Sequence, residues 1–243
     1  DVIQIMESAK LEKSQTSNQN KINPIFIFGV PRCGSTLIER VIKTTGDLSC
    51  SKIIVVVGHQ KDLIKKSLEK HSDIEYAIQY EQKGTAHAVK MCFDNLKEFS
   101  GNVIILSGDV PLISLGTLIA LAEIKNKTNS KASILTADID NPDGYGRIIR
   151  NENGLLEKMK EHKDCNGNEL LIKEINAGIY IINNDCLFNY IPNINNENSQ
   201  GEYYLPGETI MTMPLMCPNE AYAVFLEQGV DESSFTYTQP SSR

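Results

Sequence analysis

Two short stretches hold residues whose types and spacing could do chemistry on a nucleotide. In QYEQKGTAHAVKMC, residues 79–92, the apolar residues Val89, Cys92, Phe93 and Leu96 share one helical face. That spacing puts Thr85 at a helix start and Gly84 just before it. Gly84 lets a flat ligand approach the main chain, while Gln79 and Thr85 offer paired donor and acceptor groups to a base edge. The same residues, taken alone, also read as an ordinary helix cap. His87, just inside the helix start, reads as a packed or solvent-facing side chain rather than a catalytic one. In LSGDVPLI, residues 106–113, Asp109 follows a run of apolar residues. A carboxylate there either caps a turn or holds a divalent metal, and Gly108 removes the side chain next to it.

A third stretch, GVPRCGSTLIERVI at residues 29–42, follows the apolar run PIFIF. A strand, a glycine-bearing loop and a helix with free N–H groups make an anion site. Arg32 would add charge, Ser35 or Thr36 could cap the helix, and with Gly34 these are the candidate phosphate-binding residues.

These residues need a frame, and the chain supplies one in alternating apolar runs and helical patterns. IFIF leads into STLIERVIK, IIVVV (53–57) into DLIKKSLEK, IEYAIQ (74–79) into the helix after Gly84, and NVIILSGD (102–109) into LGTLIALAEIKN. Continuous Val/Ile runs alternating with helices predict a mainly parallel α/β sheet covered on both faces, with strands near 25–28, 53–57, 74–79 and 102–107. In such sheets ligands bind beyond the carboxyl ends of the strands, where the first two stretches fall. From residue 132 the texture shifts to shorter strand-rich pieces, ASILTADID, GRIIR, LLEKM and AGIYIIN. This predicts a β-rich second half, followed by an Asn-rich loop, NYIPNINNENSQGEYY. Residues 1–23 read as a polar lead-in or linker.

The net charge of −7 over 243 residues gives no electrostatic footprint for nucleic acid or an anionic membrane. No apolar run approaches a membrane span, and DVIQIMESAK does not read as a signal peptide. The six cysteines lack paired short spacings, which argues against zinc and suits a reducing cytoplasm.

The motifs QYEQKGTAHAV, LSGDVPLIS, NPDGYGRIIR, EHKD, EINAGIY and QGEYYL, in that order over about residues 52–205, resemble those of bacterial N-acetylglucosamine-1-phosphate uridylyltransferases, the pyrophosphorylase domain of the bifunctional GlmU family. The resemblance implies a Rossmann-like nucleotidyltransferase (nucleotide-diphospho-sugar transferase) fold with a β-rich sugar-binding half, here truncated. It implies that Gln79, Gly84 and Thr85 read uracil, that Ser107, Gly108 and Asp109 line the ribose and metal site, and that Asp109 binds Mg²⁺. Gly146, Glu161 and Asn176 would hold the sugar; taken alone, Glu161 also reads as a solvated strand residue and Arg147 as a salt-bridge partner, and the ordered motifs outweigh this for Glu161 only. The implied reaction is uridylyl transfer from UTP to N-acetylglucosamine-1-phosphate, yielding UDP-N-acetylglucosamine and pyrophosphate.

Two departures accompany this resemblance. The glycine-rich opening loop of the family, L-x-A-A-G-x-G-T-R-M with a later P-K pair, does not occur. In its place, residues 24–42 resemble the 5′-phosphosulfate-binding motif of PAPS-dependent sulfotransferases, carried by Arg32, Gly34, Ser35 and Thr36. Residues 24–51 are therefore expected to supply a substituted first β-α unit of a domain spanning 24–205. After GEYYL the family's TD and its later metal-binding asparagine are missing, and residues 206–243 remain unassigned. An impaired uridylyltransferase is the leading expectation. A non-catalytic nucleotide-sugar binding remnant is the alternative, and a sulfotransferase fragment a distant third.

Overall fold

The computed structural model describes residues 25–29, 35–46, 48, 50–58, 61–108, 110, 113–154, 156–205 and 221–226. Its strands are β1 (Ile25–Gly29), β2 (Lys52–Val57), β3 (Ile74–Ile78), β4 (Asn102–Ser107), β5 (Ala132–Asp138), β6 (Arg147–Arg150), β7 (Leu156–Lys160), β8 (Glu174–Asn183) and β9 (Ala221–Leu226). They form one sheet in the order β3-β2-β1-β4-β8-β5-β9, with β6 and β7 as an antiparallel pair joined to β8. The first four strands are parallel, as their continuous apolar runs predict. Strand β8 runs antiparallel between β4 and β5, and β9 lies parallel to β5.

Strand β2 shows why both faces of the sheet must be covered. Ile54 and Val56 enter one buried cluster, while Ile53, Val55 and Val57 enter another. Successive strand residues point to opposite faces, so five consecutive buried side chains need two layers of cover. One layer is built by α1 (Ser35–Gly46), α2 (Lys61–Ser67) and α5 (Leu115–Thr128), through Ile38, Val41, Ile42, Ile64, Leu118 and Leu121. The other is built by α3 (Thr85–Lys90), α4 (Phe93–Leu96) and α6 (Asn184–Tyr190), through Ala86, Val89, Leu96 and Leu187.

Strand β1 lies between β2 and β4, at the centre of the parallel block. Gly29, its last residue, is paired with Val56 on one side and Ser107 on the other. Because β2 and β3 lie to one side of β1 and β4 to the other, the strand order reverses here, opening a crevice at the carboxyl ends.

Three local features differ from the sequence expectation. The helical face of Val89, Cys92 and Leu96 is buried, but it is divided between α3 and α4, with the Met91 N–H shared by the His87 and Ala88 carbonyls. Strand β8 begins at Glu174, ahead of AGIYIIN, and so includes Asn176. Helix α6 lies between AGIYIIN and the Asn-rich loop, where the sequence reading names no element, and takes in Asn189 and Tyr190 of that loop; Asn183 caps it by accepting from the Asp185 and Cys186 N–H groups.

Candidate functional site

The base-reading turn forms where β3 ends. The Gln79 N–H donates to the Val57 carbonyl at 2.8 Å, which fixes the residue against β2. The chain then turns and enters α3, with Gly84 at its N-cap position and φ of +99°. Only glycine adopts that conformation without strain, and space forbids anything larger. A Cβ on Gly84 would lie 2.5 Å from the carbonyl oxygen and 2.9 Å from the main-chain nitrogen of Tyr203.

Residues 83–86 are held by 203–205 much as two strands would be. The Tyr203 N–H donates to the Lys83 carbonyl (2.7 Å), and the Ala86 N–H to the Tyr203 carbonyl (2.9 Å). The Leu205 N–H donates to Thr85 Oγ1 at 2.9 Å. Thr85 therefore does not cap its own helix; its hydroxyl pins a distant segment and keeps its own proton to donate. Gln79 Nε2 reaches the Gly84 carbonyl (3.2 Å) and His87 Nδ1 (3.0 Å). Burial, with Lys83 and Lys90 nearby, holds the His87 ring below the usual imidazole range.

The second cluster forms where β6, β7 and β8 meet. Gly146 precedes β6, and its carbonyl accepts from the Asn176 N–H at 2.9 Å. A Cβ on Gly146 would lie 3.3 Å from Glu161 Oε1, so the glycine leaves room against this carboxylate. Strand β8 is bulged between Asn176 and Tyr180, with Gly178 at φ +72°. The bulge re-aims Asn176. Its Oδ1 accepts from the Gly178 N–H (3.0 Å), and its Nδ2 donates to the buried Tyr180 hydroxyl (2.6 Å). Gly146, Glu161 and Asn176, far apart in sequence, thus share one corner.

Glu161 is not a solvated strand residue. It precedes the short 3₁₀ turn His162–Asp164. Its carboxyl is pushed above the usual range by burial first, then by the charges of Asp164 and Glu202. Glu202 joins the two clusters: it adds to the field at Glu161, while the next residue, Tyr203, is bonded to Lys83 and Ala86. Tyr204 is also within this acidic field, its phenol raised by burial and by Glu202, Glu161 and Asp164.

Arg147 corrects its expected role as a salt-bridge partner. It is fully buried and makes no ion pair among the described residues. Its Nη1 donates to the carbonyls of Pro142 (2.5 Å) and Tyr145 instead. The guanidinium thus closes the turn that delivers Gly146. Sequence reading missed this clamp, and also Tyr180 and Tyr203. The run GYGRIIR gives no sign that its arginine points inward.

At the crevice, Ser107 ends β4 and Gly108 is buried beside it. Asp109 lies outside the described residues, as do Arg32 and Gly34; Ser35 and Thr36 open α1. Among the described residues no three His, Cys, Asp or Glu side chains converge to cage a metal ion.

The family model for nucleotidyl transferases matches residues 23–213. Over 176 residues the chain is 45% identical to the bifunctional protein GlmU of Bacillus cytotoxicus, and 46% identical to those of Bacillus licheniformis and Bacillus velezensis. Each alignment covers 72% of this chain and 38% of the relative, so the chain spans under two fifths of these proteins' length. Among solved structures, a UDP-glucose pyrophosphorylase complexed with UDP-glucose shares the fold, with a TM-score of 0.57 at 14% identity, covering 75% of this chain and 84% of that one.

Proposed function

The chain belongs to the nucleotidyl transferase family, and from that premise we propose that it transfers a uridylyl group from UTP to N-acetylglucosamine-1-phosphate. The products are UDP-N-acetylglucosamine and pyrophosphate. A phosphate oxygen of the sugar forms a bond to the α-phosphorus of UTP, and the bond from that phosphorus to the departing pyrophosphate breaks. Such transfers need alignment and charge neutralisation rather than a protein nucleophile.

One observation carries the reading: residues 199–205 tie the Gln79–Gly84–Thr85 turn, through Tyr203 and Leu205, to the Gly146–Glu161–Asn176 corner, where the Ser199 N–H donates to Asp164 and the Asp164 N–H to the Glu161 carbonyl. A base edge can be read at the first, with Gly84 leaving the main chain open to a flat ring. Sugar hydroxyls and an amide can be held at the second, where Glu161 accepts and Asn176 both donates and accepts. Ser107 and Gly108 lie at the strand-order reversal, where the ribose and phosphates would sit.

We assign a divalent metal, Mg²⁺, to Asp109, just beyond β4 in sequence; such an ion would neutralise charge on the phosphates. The described residues offer no cage of their own for it. With the G-x-G-T-R-M loop and P-K pair missing, the charge on pyrophosphate is poorly matched. Losing one preorganised donor of this kind costs about 10²–10³ in rate. The cytoplasm is the compartment we assign: Cys50, Cys92, Cys165 and Cys186 form no disulfide among the described residues. No described helix is long and apolar enough to cross a membrane.

The test is calorimetric titration with UDP-N-acetylglucosamine beside pyrophosphate release from UTP and N-acetylglucosamine-1-phosphate at saturating Mg²⁺. The expected result is saturable binding with turnover at least roughly 10²-fold below that of a family member with the complete loop. Absence of binding would refute the reading. Binding with no turnover would favour the second reading, a nucleotide-sugar binding protein, which the substituted loop at residues 29–42 supports.

A further inference from the structure

The side-chain amide of Gln79 has two neighbours, and one of them fixes its orientation. Gly84 offers a main-chain carbonyl, which can only accept, at 3.2 Å. The amide atom facing it must therefore be the –NH₂ group, Nε2. The same nitrogen lies 3.0 Å from His87 Nδ1, and because Nε2 brings the hydrogen, Nδ1 must be the bare nitrogen of a neutral ring. The ring proton then sits on Nε2 of His87. Burial, Lys83 and Lys90 favour that neutral state. Glu81, through its main chain and its charge, opposes it. The Tyr203 ring lies 6.3 Å away, tilted by 33° to the imidazole.

What remains is Gln79 Oε1, which has no hydrogen-bond partner among the described residues. It is a pure acceptor, and it is offered in one orientation only. We infer that His87 is a specificity-determining positioning residue: by accepting from Gln79 Nε2 beside the Gly84 carbonyl, it leaves Gln79 Oε1 as the group presented to the base. A ring that offers an N–H on its pairing edge, as uracil does, satisfies that oxygen. Cytosine offers a bare ring nitrogen at the same place, and two acceptors face each other. His87 therefore acts on the choice between bases and not on the phosphates or the sugar.

Without His87, the Gly84 carbonyl alone holds the amide, through a longer bond, and a rotated amide presenting Nε2 outward becomes accessible. Uracil then loses part of its advantage and cytosine gains. An asparagine at position 87 restores an acceptor, since its Oδ1 stands near the place of the imidazole Nδ1. This inference rests on the proposed uridine site, and the experiment separates the two.

Dissociation constants for UDP and CDP are measured at pH 8 for the wild type and for Gln79→Ala, His87→Ala and His87→Asn, with thermal melting as a check on folding. The wild type is expected to prefer UDP by roughly tenfold or more, and Gln79→Ala to bring the ratio near unity. His87→Ala is expected to reduce the ratio about fivefold, and His87→Asn to recover most of it. If Gln79→Ala leaves the ratio unchanged, the uridine site itself is misassigned and the inference falls with it. If Gln79→Ala collapses the ratio but His87→Ala keeps it, the inference alone is overturned. Equal loss of both ligands in His87→Ala and His87→Asn would show a merely structural histidine and overturns it too.

Discussion

Gly84 and Tyr203 meet main chain against main chain: a methyl group on the glycine would stand 2.5 Å from the tyrosine carbonyl oxygen. Neither side can yield, because that carbonyl accepts from Ala86 and the Tyr203 N–H donates to Lys83. Gly84→Ala adds this clash to a φ of +99° that a side chain resists. The expected cost is about 2–4 kcal/mol of stability, within the upper range for single substitutions. Urea unfolding measures it, and nucleotide binding should fall in parallel as residues 203–205 move away.

Glu161→Gln is expected to raise stability and lower sugar affinity together. The native carboxyl lies above its unfolded value because it is buried and faces Asp164 and Glu202. For a raised group the stabilising contribution is fully present below the unfolded value and lost as pH rises through the folded one. The ionised side chain is therefore a burden at pH 8 and not at pH 4. Melting at pH 8 should rise by about 2–4 °C, the shift expected for ~1 kcal/mol in a chain of this size. The gain should vanish at pH 4. Affinity for UDP-N-acetylglucosamine should fall roughly tenfold, as when a bond to a charged group is lost.

Arg147→Ala and Arg147→Met should part company. Both remove the guanidinium from the Pro142 and Tyr145 carbonyls, of which Pro142 keeps the Tyr145 N–H, and the alanine adds a cavity at a fully buried position. Methionine fills much of that volume with a flexible chain. The alanine variant is expected to lose about 3–4 kcal/mol and the methionine variant about half of that, as read by denaturant unfolding. In both, Gly146 is freed, and UDP-N-acetylglucosamine should bind more weakly than uridine diphosphate does.

Asp109→Ala should remove the Mg²⁺ dependence of pyrophosphate release along with the release itself. Asp109 follows β4 in sequence, and a carboxylate just after such a strand is suited to holding a metal that neutralises phosphates. The measurement is initial rate against Mg²⁺ concentration. A variant with wild-type rate and an unchanged Mg²⁺ curve would refute the assignment of the metal to this residue.

Strands β1 to β4 were legible because each is a short apolar run, and IIVVV could only be a strand buried on both faces. Gly84 and Thr85 were legible because the helical face of Val89 and Cys92 fixes where the helix starts. Other features were hidden for physical reasons. Strand β8 opens on Glu174-Ile175-Asn176-Ala177, an alternation too short to extend the apolar run AGIYIIN backward, and its bulge depends on pairing with β5. Helix α6 is only seven residues long, too short for a helical period to show; the Asn183 cap and the packing of Cys186, Leu187 and Phe188, the last stacked on Phe93, hold it. The pairing of 83–86 with 203–205 joins residues that nothing local brings together. The same holds for Glu202 and Glu161, whose shared field is purely tertiary.

The central place of β1 bears on how the chain is made. Ile25 leaves the ribosome early, but its pairing partner on one side, Val103, belongs to β4 and arrives much later. Ala132 of β5 likewise waits for Ala221 of β9. Contacts so distant along the chain slow folding and leave strand edges exposed meanwhile. Strand β2 follows soon and can pair one edge of β1, but the other edge stays open until β4 is made, and holdase chaperones that bind extended apolar segments would find that edge before β4 does.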